Sequence, residues 1–87
     1  MEGIDGLIAS VPGWERKGDA IGKEFIFEDF NEAMGFVNGV ARLAEAADHH
    51  PDIGISYNKV KIELTTHDAG GLTEKDFLLA KGIDRLV

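Results

Sequence analysis

Residues 29–50, "DFNEAMGFVNGVARLAEAADHH", constrain the fold of this chain more than any other stretch. Phe30, Ala33, Met34, Val37, Val40, Ala41 and Ala44 recur at helical spacing and form one apolar face. Asp29 and Glu32 supply the start signal, because an aspartate can take the N3 amide while a glutamate three residues on reaches back. Pro51 supplies the stop, since the residue before a proline is pushed out of the α region. The spacing therefore predicts a long amphipathic helix with His49 and His50 at its C-terminal end. Phe36, Leu43 and Ala47 add a second apolar stripe. That stripe is either a wide core face or a seat for a neighbouring subunit.

The flanking segments alternate instead of following a helical period. "GWERKGDAIGKEFIFED" reads as two strands around a Gly18-Asp19 turn. "DIGISYNKVKIELTTHD" reads as a second hairpin with Asn58-Lys59 at its tip. Val60, Ile62, Leu64 and Thr66 share one face of it, while Lys61, Glu63, Thr65 and His67 share the other. Ile4, Leu7, Ile8 and Val11 predict a short N-terminal helix stopped by Pro12-Gly13. Thr73 and Asp76 form a capping box for a last helix, with Leu72 and Phe77 as its hydrophobic staple. The order α-β-β-α-β-β-α predicts a single α+β domain over residues 1–87. In it a four-stranded antiparallel sheet carries its helices on one face.

Composition narrows the functions open to such a domain. A formal charge of −7, with nine scattered basic residues, argues against direct nucleic-acid binding, which needs clustered Lys and Arg. No cysteine is present, so disulfides and thiolate metal sites are excluded. The apolar runs are too short to span a bilayer, and no signal-peptide pattern opens the chain. A cytoplasmic location is expected, with nuclear entry open to so small a protein.

All three histidines fall at structural boundaries: His49 and His50 in "AADHHPD", and His67 in "LTTHDAGG". Adjacent helical residues point about 100° apart. At an unwinding helix end, however, both rings can turn to one cleft, and a hairpin folded under the helix can bring His67 near. One reading is structural, with rings on the helix's terminal carbonyls. A second is a metal site, although "HH" lacks the spacing of established zinc motifs. A third is acid–base chemistry, because imidazole titrates near neutrality, with Asp48 and Asp68 as the neighbouring acids. Spacing alone leaves the last two open.

The stretch "EAADHHPDIGISYNKVKIELTTHDAGGLTEKD" resembles the signature of the pterin-4a-carbinolamine dehydratases. Glu45, His49-His50-Pro51, Tyr57, Val60, Ile62, Leu64, Thr66-His67, Gly71-Leu72-Thr73 and Asp76 fill its slots. Trp14 and residues 25–41 extend the likeness over about residues 11–84. The resemblance implies dehydration of 4a-hydroxytetrahydropterin to the quinonoid dihydropterin, which recycles the cofactor of aromatic amino-acid hydroxylases. It implies neither metal nor organic cofactor. His49, His50 and His67 would be the catalytic trio, with His49 and His67 moving protons and His50 positioning the pterin. Asp48, His49, His50, Thr65, Thr66, His67 and Asp68 would contact the substrate. It also implies a homodimer or homotetramer. Some members of the family bind a homeodomain transcription factor, but no residue here carries that role. "DIGIS", after Pro51, lacks the bulky aromatic often found there, which implies a more open site wall.

Overall fold

The structure, a computed structural model, describes residues 6–87. Four strands form one antiparallel sheet in the order β1-β2-β4-β3: β1 (Glu15–Lys17), β2 (Ala20–Ile26), β3 (Asp52–Ser56) and β4 (Lys59–Leu64). Helix α1 (Phe30–Ala47) links the two hairpins, and helix α2 (Glu74–Asp84) closes the chain. The expected α+β architecture holds. Helical residues at 6–8 mark the N-terminal helix, where Val11 is buried; Ile4 lies outside the described residues. No helix among the described residues is long and apolar enough to cross a membrane.

Register fixes which face meets the helices. Ile21 lies opposite Leu64, Lys23 opposite Ile62, and Phe25 opposite Val60, and residues directly opposite share a face. Ile21, Val60, Ile62 and Leu64 are fully buried under Ala33, Val40, Phe77 and Ile83 of the helices. Phe36 belongs to this core, its ring 4.6 Å from Phe25 and 5.0 Å from Phe27. It is therefore unavailable to a neighbouring subunit, and the second stripe shrinks to Leu43 and Ala47.

Lys23 sits on the core face without being a buried charge. Its ammonium reaches Asp84 Oδ1 at 2.9 Å and lies 5.0 Å from the Phe25 ring centroid. Asp84 also accepts from Trp14 Nε1 at 3.1 and 3.2 Å, so one carboxylate clasps the first hairpin to the end of α2. Trp14 is thus an anchor of the core and not a wall of the histidine cleft.

The turns depart from expectation at one place. Gly18, at φ +60°, makes the first hairpin turn as predicted. The second turns at Tyr57 and Asn58, one residue earlier than the sequence suggests, with Ser56 paired to Lys59. The reason is Asn58, whose amide Nδ2 donates to the Phe27 carbonyl and whose own carbonyl accepts from Phe27 N, both at 2.8 Å. Those bonds pin the tip to the end of β2.

Two glycines of α1 separate helix propensity from packing. A methyl group at Gly35 would meet nothing within 4 Å, whereas one at Gly39 would lie 3.1 Å from Leu86 Cδ1. Gly35→Ala is expected to stabilise the fold by about 0.5–1 kcal/mol. Gly39→Leu is expected to cost about 1–3 kcal/mol by displacing the C-terminal segment. Urea unfolding of both variants checks this, and a stabilised Gly39→Leu would refute the packing account.

Candidate active site

The site begins with the way α1 stops. Asp48 takes the left-handed conformation at φ 50°, ψ 44°, and the chain leaves the helix there, three residues before Pro51. Asp48 N donates to the Glu45 carbonyl at 3.2 Å, and His49 N donates to the Ala44 carbonyl at 3.0 Å. This is the Schellman pattern, usually built on glycine, with aspartate among the few other residues that tolerate it. Proline was the expected stop, yet a backbone reversal at Asp48 does the work. The reversal throws His49 inward and His50 outward.

His49 is buried, and its Nε2 lies 2.6 Å from Asp76 Oδ1. Asp76 is fully inaccessible, and its other oxygen accepts from Thr66 Oγ1 and from Thr73 N, both at 2.9 Å. A carboxylate only accepts, so His49 Nε2 carries the proton in this bond. Thr73 caps α2 and Asp76 closes its capping box, so the predicted helix start is also the support of an imidazole. Among the described side chains that are not exposed, no buried nitrogen or oxygen lacks a partner. His49 Nδ1 is therefore the ring nitrogen left open to a ligand.

His50 pairs through Nε2 with Glu45 Oε2 at 2.6 Å, with both side chains more than half exposed. Such a pair orients a ring more than it stabilises a fold. The acids that meet the rings are thus Asp76 and Glu45, not the Asp48 and Asp68 suggested by adjacency. Sequence neighbours at a reversal point apart, while residues five positions back, or on another element, come opposite. The family slots occupied by Glu45 and Asp76 were the available signal for both.

His67 does not end a strand. β4 finishes at Leu64, and Thr66 pairs with Gly71 through two backbone bonds of 3.1 and 3.2 Å. Between them a 3₁₀ turn, His67–Ala69, projects into solvent and closes with Gly70 at φ 74°. Thr66 still points inward, as the alternation predicts, and His67 outward.

These parts meet at one cleft of about 220 Å³, lined by Asp48, His49, His50, Thr65, Thr66, His67, Asp68 and Lys75. The seven residues expected to contact a substrate all lie on it. Lys75, from the first turn of α2, is the lining residue that sequence reasoning missed. It stands one position before Asp76 and looks like any exposed helical lysine. Among the described residues, no three His, Cys, Asp or Glu side chains converge to hold a metal ion.

Comparison with known proteins agrees with this architecture. A relative from Thermomicrobium roseum is 55% identical over 95% of this chain and 89% of its own length. One from Picosynechococcus is 54% identical over 95% of this chain and 90% of its own. Both carry the provisional name pterin-4-alpha-carbinolamine dehydratase. Among solved structures, a transcriptional coactivator/pterin dehydratase from Brucella melitensis superposes with a TM-score of 0.91 at 34% identity, covering 95% of this chain and 90% of that one. A pterin dehydratase-like RuBisCO assembly factor of the alpha-carboxysome gives 0.69 at 26% identity, covering 84% of each chain. The family model described as pterin 4 alpha carbinolamine dehydratase matches residues 2–86. With the match running through both hairpins, both helices and the histidine cleft, this chain belongs to the pterin 4 alpha carbinolamine dehydratase family.

Proposed function

We propose that this protein dehydrates 4a-hydroxytetrahydropterin to the quinonoid dihydropterin by histidine acid–base catalysis without a metal. The observation that carries the reading is one cleft lined by three imidazoles, one of them held by a buried carboxylate. The reaction requires a proton on the 4a-oxygen, cleavage of the C4a–O bond, formation of a C4a=N5 double bond and loss of the N5 proton. One water leaves, and no net proton is consumed. His49, with Nε2–H committed to Asp76, offers the Nδ1 lone pair to the N5 proton. His67, exposed on its loop, donates to the leaving oxygen and recovers its proton from solvent. His50, braced by Glu45, positions the ring system. Backbone amides and carbonyls around Asp48, Thr65 and Asp68 supply donors and acceptors for the pterin edge.

The test is dehydration of 4a-hydroxytetrahydropterin, generated in situ, by protein treated with a chelator. Acceleration over buffer that survives chelation is expected. Acceleration that vanishes on chelation and returns with added zinc would replace acid–base catalysis with a metal reading. The rival reading is a non-catalytic interaction module on the same fold. It is favoured by the assembly-factor and coactivator names of the two solved neighbours. No acceleration at all would move it ahead.

Self-association belongs to this proposal and shifts its expected seat. Every residue of β3 is exposed and the strand is a free sheet edge, with Ile53 and Ile55 uncovered on the core-facing side. Open edges of this kind recruit another strand. Ile55→Lys is expected to lower the solution mass measured by light scattering. An unchanged oligomer would move the contact elsewhere.

A further inference from the structure

His49 has two cavities beside it. On one side lies the polar cleft; on the other a trough of about 450 Å³ runs between α1 and α2. Leu43, Ala46 and Ala47 form one wall of the trough, and Leu78, Leu79 and Gly82 form the other. His49 and Lys75 line both spaces, so the trough opens where the proposed base stands. Small side chains keep it open: a methyl group at Gly82 would already touch Leu43 Cδ1 at 3.5 Å. Leu78 remains 65% exposed along its rim, which no other segment of the described chain covers.

Size and chemistry both connect the trough to the reaction. The polar cleft alone, at about 220 Å³, is smaller than the roughly 300–1,000 Å³ of most small-molecule sites. In a pterin, C4a is bonded to N5 and N5 to C6. A base working at N5 therefore stands beside whatever substituent C6 carries. A polar cleft suits the hydrogen-bonding edge of the ring system, and an apolar trough across His49 suits an apolar group on C6.

We infer that the trough between α1 and α2 is the C6-substituent subsite, selecting pterins whose C6 group is alkyl or aryl. The assignment rests on the dehydratase reading. Leu43 and Ala47, the remnant of the second stripe, then serve substrate selection, while the sheet edge serves self-association. Lys75 walls the mouth with its aliphatic stem and keeps its ammonium in water.

The experiment compares 4a-hydroxy adducts of unsubstituted, 6-methyl and 6-phenyl tetrahydropterin with wild type, Ala46→Phe and Leu78→Asn. Solution mass is measured for each protein. Wild type is expected to show a KM for the phenyl compound about tenfold below that for the unsubstituted one, with the methyl compound between. Ala46→Phe fills the trough and Leu78→Asn makes its rim polar; each is expected to erase most of that preference at unchanged mass. Two surface changes on different helices guard against one misfolded variant. Equal KM values in wild type, or a preference that survives both changes, would overturn the subsite. A mass change in both variants would also overturn it, making the trough a contact between copies of this chain. Absence of turnover with all three compounds would instead remove the dehydratase reading, and the subsite with it.

Discussion

Asp76→Asn is expected to leave a folded protein whose kcat for 4a-hydroxytetrahydropterin falls by about 10²–10⁴, with KM little changed. An asparagine oxygen can still accept from Thr66 and Thr73, so the start of α2 survives. Its NH₂ then faces His49 Nε2, and two donors cannot share that 2.6 Å gap. The ring must turn or shift its proton to Nδ1, which removes the lone pair that the proposed base uses. Asp76→Ala behaves differently. It strips partners from His49, Thr66 and Thr73 at a fully buried position and is expected to destabilise the fold by about 3–5 kcal/mol. Parallel thermal melts and kinetics separate the two effects. If Asp76→Asn loses stability but keeps full kcat, the carboxylate is a helix cap and nothing more.

His67→Ala is expected to lower kcat by about 10²–10³ while leaving the melting temperature within about 1 °C, the range of a surface substitution. The side chain is exposed on a solvent loop, so removing it should uncover no core. Small imidazole added to the assay should restore part of the rate by occupying the vacated space. His49→Ala should cost as much activity and also stability, since it leaves Asp76 Oδ1 buried without a partner. A His67→Ala enzyme with wild-type kcat would assign the leaving-group proton to water or to His50.

Most of the architecture was legible because its elements carry local signals. Asp29 accepts the Glu32 amide at 2.9 Å as its pattern predicts, Thr73 and Asp76 close their box, and Val60, Ile62 and Leu64 face the core. The site was legible as a set of residues but not as a set of pairs. Which acid braces which histidine depends on a left-handed turn at Asp48 and on α2 packing against the end of α1. Neither leaves a periodic trace. Phe36 stayed between a core and a subunit reading for the opposite reason: its spacing fits a second face, and the two rings that make it core come from β2 and its exit. Glu32 differs in detail too, its carboxylate taking Glu28 N at 3.0 Å one residue before the cap.

The pair of backbone bonds between Thr66 and Gly71 gives this domain a detachable fingertip. Everything between them hangs outside the sheet and contributes none of its buried surface, so the chain can rewrite residues 67–69 without disturbing the rest, while Gly70 keeps the turn closed. His49 is anchored within the architecture, and His67 is only presented by it. Loss of the reaction in a descendant would therefore begin at the fingertip, at little structural cost, leaving a stable scaffold with a vacant cleft for some other use.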